Sequence, residues 1–153
     1  YTIDTTNLSL HQLSKKLEKL YSDSGEQESI TVNVNAFGFK YGIPLDSDLV
    51  FDVRCFPNPF YIDELKEKTG LDKEVRDYVM GFDESRLFIQ KLEDMILFLM
   101  PMYIEEGKTS LTISIGCTGG KHRSITMAYL LGEALKKNGY AVNMIYRDIE
   151  KGK

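Results

Sequence analysis

The chain has 153 residues, enough for one domain with a sizeable core, and its net charge at neutral pH is −4. The acidic balance argues against a broad nucleic-acid surface, and no apolar stretch is long enough to cross a bilayer. The two cysteines form no spaced set, and the sequence has neither a signal peptide nor a metal-binding pattern, so we expect a cytoplasmic protein without a metal, a cofactor or a membrane partner.

The first predicted element is a helix over about residues 8 to 21, where leucines recur at helical spacing. A strand is predicted over 30 to 35, in which β-branched and polar side chains alternate. Residues 49 to 54 are apolar enough for a buried strand with charge at its end. The prolines of Pro57-Asn58-Pro59 then break the backbone, and short helical turns are expected between 61 and 72.

The second half of the chain is predicted to begin with a short helix over 73 to 80, with Asp72 as its N-cap. A longer helix, capped by Asp83, runs to about 103 and is kinked or ended by Pro101. Because that helix is apolar on much of its circumference, we expect it to lie deep against a sheet. The remaining elements are a strand, a helix closed by Asn138-Gly139 and a last strand, over 111 to 115, 123 to 137 and 141 to 146.

This order of elements predicts the fold class. Strands separated by helical segments favour an α/β fold, a mainly parallel sheet with helices on both faces. Ligands of such sheets bind outside the carboxyl ends of the strands. Three candidate segments follow strands in this way: Lys40-Tyr41, Asp52 with Arg54, and the loop from Gly116 to Ser124. We expect them to converge in space.

The loop from Gly116 to Ser124 has the composition of a phosphate site. A strand, a Gly-rich turn and a helix direct several backbone N–H groups and the positive end of the helix at one point. Gly119 and Gly120 permit the backbone angles that such a cradle needs. Hydroxyl and cationic donors are added by Thr118, Lys121, His122, Arg123 and Ser124. The alternative is an ordinary tight turn with solvated basic residues.

Cys117 and Arg123 also have the spacing of cysteine-dependent phosphatases, a Cys followed after five residues by an Arg. In an enzyme of that type Cys117 would attack a phosphoryl group, Arg123 would hold its oxygens, and Asp46, Asp48 or Asp52 would be the general acid. The alternative for Cys117 is a small apolar residue at a strand end.

The other candidates also admit two interpretations. Asp52 and Arg54 lie two residues apart on a strand and therefore on one face, so they either pair with each other or both reach a ligand. Lys40 would close the site from one side, whereas Tyr41 is as consistent with core packing. Near the end of the chain, three basic residues form a short tail that is usually just solvated charge: Arg147, Lys151 and Lys153.

Taken together, five motifs resemble the carboxyl-terminal domain of the RapZ family, also called YvcJ-like proteins. In chain order they are Phe37 to Gly42, Val50 to Arg54, Pro57 to Pro59, Thr69 to Lys73 and Gly116 to Ser124. The resemblance implies a domain similar to a phosphofructokinase subdomain that forms homo-oligomers. For the enterobacterial members it implies that the domain binds glucosamine-6-phosphate and a small RNA and thereby directs the action of a ribonuclease.

The resemblance also implies that residues 1 to 153 are one phosphometabolite-binding domain from the carboxyl-terminal half of a longer protein. The other half would be a P-loop domain with weak ATPase and GTPase activity, and no P-loop run occurs in this sequence. The opening at Tyr1 without Met favours the same expectation of a fragment.

The site residues that the resemblance implies lie at the motifs. The phosphosugar would be held by Lys40, Tyr41, Asp52, Arg54, Cys117, Thr118, Gly119, Gly120, Lys121, His122 and Arg123, and RNA by Arg147, Lys151 and Lys153. We therefore expect a non-catalytic sensor of an aminosugar phosphate that regulates a partner protein or a small RNA. The alternatives are the phosphatase and an interaction module whose loop binds phosphate only structurally.

Overall fold

A computed structural model describes residues 30–151, and within them one sheet has four strands, all parallel. The strands are β1 (Thr31–Gly38), β2 (Leu49–Asp52), β3 (Ser110–Cys117) and β4 (Ala141–Tyr146), in the spatial order β2-β3-β1-β4. The α-helices are α1 (Lys73–Val79), α2 (Asp83–Glu106) and α3 (Arg123–Lys137), with short 3-10 turns at Phe39–Tyr41 and Pro59–Tyr61. The predicted α/β fold with a parallel sheet is confirmed. The predicted helix over 8 to 21 lies outside the described residues.

The two faces of the sheet differ in chemistry because side chains alternate along each strand. On one face, apolar side chains from all four strands join the core: Val32, Val34, Ala36, Leu49, Phe51, Leu111, Ile113, Ile115, Val142, Met144 and Tyr146. On the other face, Asn143 Nδ2 donates to Asn33 Oδ1 over 3.1 Å, and Asn33 Nδ2 donates to Thr112 Oγ1 over 3.4 Å. Apolar burial therefore fixes which way each strand faces.

The connections between strands place the described helices on the apolar face. The crossovers from β2 to β3 and from β3 to β4 run in the same direction across the sheet, so right-handed connections put their helices on one side. Val79, Ile96 and Leu131, one from each helix, pack in the same core cluster. The β1 to β2 connection runs the other way, and its Ser47 Oγ lies 2.6 Å from Ser114 Oγ on the polar face. Because residues 8 to 21 are not described, helices on both faces remain a prediction.

Three details of the predicted elements are wrong. Among residues 30–151, β2 pairs only with β3, so it is an edge strand there rather than a buried one, and Val50 is 43% exposed. Phe82, not Asp83, occupies the N-cap position of α2. Pro101 does not end the helix, which runs to Glu106 and has Gly107 as its C-cap, where φ is 103°. By contrast, α3 and β4 have the predicted bounds.

The helix α2 is also less buried than its composition predicts. Its side chains face the core along one stripe that includes Leu92, Ile96 and Met100, whereas Leu87 and Phe98 are exposed, Phe98 at 69%. The helix packs beside α3 rather than deep against the sheet. None of the helices in residues 30–151 is long and apolar enough to span a membrane.

The central position of β3 predicts where truncation destabilises the fold. Ile113→Ala removes a fully buried side chain and should lower the free energy of unfolding by about 3 kcal/mol. Leu45→Ala, at a side chain that is 98% exposed, should change it by less than about 0.5 kcal/mol. Urea unfolding of both variants measures the difference, and equal losses would contradict the described core.

Candidate functional site

The carboxyl ends of the strands converge, as predicted. The backbone N–H of Lys40, after β1, donates to the carbonyl of Thr118, after β3, over 3.3 Å. Arg123, the first residue of α3, reaches the segment after β2 and donates from Nη1 to the carbonyl of Arg54 over 2.7 Å. The three segments that the sequence singles out therefore lie at one edge of the sheet.

The loop after β3 presses directly on the end of β1. A Cβ atom on Gly38 would lie 2.5 Å from the carbonyl carbon of Gly119, and one on Gly120 would lie 2.6 Å from the nitrogen of Gly38. Glycine is required at both positions because backbone meets backbone with no room for a side chain. Gly120 has the expected positive φ of 79°, whereas Gly119 does not have a positive φ and would place a Cβ in open space.

The loop leaves backbone donors unused. The N–H groups of Thr118, Gly119 and Lys121 donate to no acceptor among residues 30–151. Free N–H groups between a strand and the N-terminus of a helix suit an anion. The loop can therefore bind phosphate through its backbone.

Cys117 and Ser124 face each other beneath the loop. Cys117 Sγ lies within hydrogen-bonding distance of Ser124 Oγ, at 3.2 Å, and accepts from the Gly120 N–H over 3.3 Å. Both side chains are buried, Cys117 at 2% exposure and Ser124 at 0%. Both side chains thus pack under the loop, and Cys117 holds it through the Gly120 N–H.

Arg123 fastens the β2 end to the loop. Its Nη1 donates to the carbonyls of Arg54 and Phe56, over 2.7 and 3.0 Å, and its Nη2 lies 3.5 Å from Thr118 Oγ1. The side chain is buried, and its Nε has no hydrogen-bond partner within residues 30–151. The sequence suggests that the Arg123 guanidinium binds two phosphate oxygens, but in the structure its Nη1 already donates to two backbone carbonyls.

Asp52 and Arg54 pair with each other, one of the two predicted alternatives. Arg54 donates from Nε to Asp52 Oδ1 over 2.9 Å and from Nη2 to Oδ2 over 2.6 Å. These hydrogen bonds lower the pKa of Asp52. The Arg54 guanidinium also lies over the Phe39 ring, 4.0 Å from its centroid. The pair is half-exposed at the rim of the site, where Asp52 can still accept from a ligand.

Asp48 is not near the loop. It accepts from the Thr112 N–H over 2.8 Å and from Lys108 Nζ over 2.9 Å, close to the amino ends of β2 and β3. Cys117 is at the other end of β3, so Asp48 does not fit the role of its general acid.

His122 occupies the N-cap position of α3 and packs against the segment that precedes α1. Its Nε2 lies 3.2 Å from the carbonyl of Lys66, and the N–H of Gly70 donates to the Lys121 carbonyl over 2.8 Å. Burial lowers the pKa of His122, and the neighbouring charges of Arg123 and Lys121 act in the same direction. The imidazole is therefore neutral at pH 7 and serves as a packing contact.

The end of β4 joins the site, which the sequence interpretation missed. Asp148 is wholly buried, and Arg147 and Lys151 both donate to it over 2.8 Å. Burial opposes its ionisation, but hydrogen bonds from Arg147, Gly38 and Lys151 lower the pKa of Asp148 to about 2. The interpretation as a solvated tail is wrong for Arg147, whereas Lys151 is half-exposed and also paired with Asp148, and Lys153 lies outside the described residues.

The sequence does predict a last strand in a mainly parallel sheet, and the residues after such a strand lie at the edge where ligands bind. In the structure β4 is parallel to β1 and ends at that edge. Lys151 Nζ and Lys40 Nζ lie 4.8 and 5.2 Å from the Tyr41 ring centroid. The partly buried Tyr41 ring thus contacts two cations.

The edge is strongly cationic in a chain whose net charge is −4. Its basic side chains are Lys40, Arg54, Lys121, Arg123, Arg147 and Lys151, and its carboxylates are Asp52 and Asp148. Over residues 30–151 no group of three or more His, Cys, Asp or Glu side chains could hold a metal ion. Electrostatics at this edge therefore favour an anionic ligand.

Comparison with known proteins gives the same result as the motifs. The family model of the RapZ C-terminal domain matches residues 30–150. Proteins named "Nucleotide-binding protein" from Caldicellulosiruptor saccharolyticus and Clostridium kluyveri are both 55% identical, over 99% and 97% of this chain and 52% and 51% of their own length. One from Alkaliphilus oremlandii is 56% identical over 97% of this chain and 51% of its own length. The chain spans about half the length of these curated relatives.

The contact between β1 and the loop predicts that alanine destabilises the fold at Gly38 but not at Gly119. Gly38→Ala forces a Cβ against loop backbone and should lower the free energy of unfolding by about 2 to 3 kcal/mol. Gly119→Ala places its Cβ in open space and should stay within about 0.5 kcal/mol of the wild type. Urea unfolding measures both, and a tolerated Gly38→Ala would refute the close approach.

Burial of His122 predicts a pH dependence of stability. The pKa of His122 in the folded state lies below its ordinary value of 6.5, so the unfolded chain binds the proton first as the pH falls. The stability that neutral His122 contributes is full above about pH 6.5 and is lost as the pH falls toward the folded-state pKa. The free energy of unfolding should therefore fall between pH 7.5 and 5.5, and less so in His122→Gln. Identical pH profiles would count against a buried neutral imidazole.

Proposed function

Because this chain belongs to the RapZ C-terminal domain family, a family of regulatory domains, we propose that it senses an aminosugar phosphate without turning it over. Glucosamine-6-phosphate or a closely related compound is the proposed ligand. Its occupancy regulates a partner protein or a small RNA in aminosugar metabolism. The proposed setting is the cytoplasm, and the proposed assembly is a homo-oligomer of single domains.

The cationic edge around unused N–H donors is the observation that carries this proposal. In the proposed complex the phosphate sits on the N–H groups of Thr118, Gly119 and Lys121, with the Lys121 and Lys40 ammonium groups beside it. Gly120 brings the loop into close contact with the end of β1.

The sugar portion is assigned to the rim. The Asp52 carboxylate is half-exposed and suits a protonated amine or a hydroxyl, while Arg54 holds it in place. Tyr41 offers a ring and a hydroxyl in the turn after β1. Cys117, His122, Arg123 and Ser124 belong to the proposed site as the groups that shape the loop.

The contacts of two residues disfavour the phosphatase alternative. Cys117 is buried against Ser124, and Arg123 directs Nη1 at the carbonyls of Arg54 and Phe56. A phosphocysteine mechanism needs an accessible thiolate and a guanidinium aimed at the phosphoryl oxygens.

The named relatives are about twice the length of this chain and are called nucleotide-binding proteins. We assign nucleotide binding and slow ATP or GTP hydrolysis to the remaining part of the full-length protein, not to residues 1–153.

Calorimetric titration tests the proposal. Glucosamine-6-phosphate should bind, whereas glucosamine without the phosphate should not. Lys121→Ala should weaken binding about tenfold, since a charge-assisted contact contributes about 1.5 to 3 kcal/mol. Lys136→Ala removes an exposed lysine from the far end of α3 and should leave the affinity unchanged. Equal effects of the two substitutions would move the ligand away from the loop.

A phosphate-release assay on the same samples separates sensor from enzyme. The sensor should release no phosphate above the buffer rate. Release that Cys117→Ser abolishes would establish the phosphatase, and absence of binding by any phosphorylated aminosugar would refute the proposed ligand class.

A further inference from the structure

The carboxylate of Asp148 binds the backbone N–H of Gly38, and the loop after β3 packs against that same nitrogen. Its Oδ2 accepts from the Gly38 N–H over 2.8 Å. The nitrogen of Gly38 is also the atom that a Cβ on Gly120 would meet at 2.6 Å. Gly38 thus contacts both Asp148, which follows β4, and Gly120 in the loop.

Arg147 fixes the other end of the same turn. It donates from Nε to Asp148 Oδ1 over 3.0 Å and from Nη2 to the Gly42 carbonyl over 2.7 Å. Gly42 has a φ of 94°, a backbone conformation that residues with side chains rarely adopt. The turn from Gly38 to Gly42 is therefore held at both ends by one ion pair, and Lys40 and Tyr41 lie between those ends.

Lys151 is held by the same carboxylate. Its Nζ lies 2.8 Å from Asp148 Oδ1 and 4.8 Å from the centroid of the Tyr41 ring, and its side chain is 46% exposed. A lysine with one buried partner and an exposed head is available to an anion beside Tyr41.

We propose that Asp148 is a positioning residue of the ligand site, fixing the Gly38–Gly42 turn under the loop and holding Lys151 beside Tyr41 as a further ligand-binding cation. The inference rests on the proposed function and assigns a role to the β4 end. Asp148 itself does not touch the ligand. It acts through Gly38 and Lys151.

Binding of glucosamine-6-phosphate to the 153-residue chain and its Asp148→Asn variant tests the role of Asp148. Asparagine keeps the shape and can accept from Gly38 but loses the charge that pairs with Arg147 and Lys151. The affinity should fall about tenfold, within the range found for coupled sites. Ile113→Val, a conservative core change that also lowers stability, should bind as the wild type does.

Amide NMR gives a readout that a purely structural role would not move. In the wild type, glucosamine-6-phosphate should shift the Gly38 and Gly120 amide signals together, and in Asp148→Asn the Gly38 signal should no longer follow. Lys151→Met, at a half-exposed site, keeps the test decisive if Asp148→Asn does not fold, and should weaken binding about threefold to fivefold.

The two proposals fail in different ways. If the wild type binds glucosamine-6-phosphate and both variants bind it equally well, only the role of Asp148 and Lys151 is overturned. If the wild type does not bind any phosphorylated aminosugar, the proposed function is overturned and this inference with it.

Discussion

The backbone contact between Gly38 and the pair Gly119-Gly120 is the constraint on which the rest of the site depends. Two parallel strands, β1 and β3, end side by side, and the loop after β3 folds back until it touches the end of β1. No side chain fits between them, so the loop has one position relative to the sheet. The donors of Thr118 and Lys121, the start of α3 and the turn at Lys40 all take their places from that contact.

The charged side chains at this edge differ in burial as well as in sign. Arg123 and Asp148 are both buried: Arg123 donates to backbone carbonyls, and Asp148 accepts from the Gly38 N–H and from the side chains of Arg147 and Lys151. Because a buried charge without partners is costly, these side chains fasten strand ends together. Lys40 and Lys151 are exposed and Lys121 is half-buried, so all three can still contact solvent or a ligand, Lys151 while it is paired with Asp148. The edge thus combines rigid inner charges with accessible outer ones.

Sequence patterns predicted local elements well and their tertiary surroundings less well. The bounds of α3 and β4 followed from periodicity and from the stop signal Asn138-Gly139, and the loop after β3 followed from its glycines and cations. An apolar run reads alike in a central and an edge strand, so β2 was predicted as buried. Nothing local distinguishes a solvated tail from the Arg147 and Asp148 pair, because their partners, Gly38 and Gly42, are more than 100 residues earlier in the chain.

The strand order has a consequence for how the chain folds as it is made. Among the described strands, β2 pairs only with β3, and β1 pairs only with β3 and β4. Within residues 30–151, neither β1 nor β2 therefore has a partner strand until β3 has been synthesised, and the contact Thr31 to Ser110 closes a long intervening segment. Among these residues, both strands keep unpaired edges while α1 and α2 are being made, and unpaired strand edges favour aggregation.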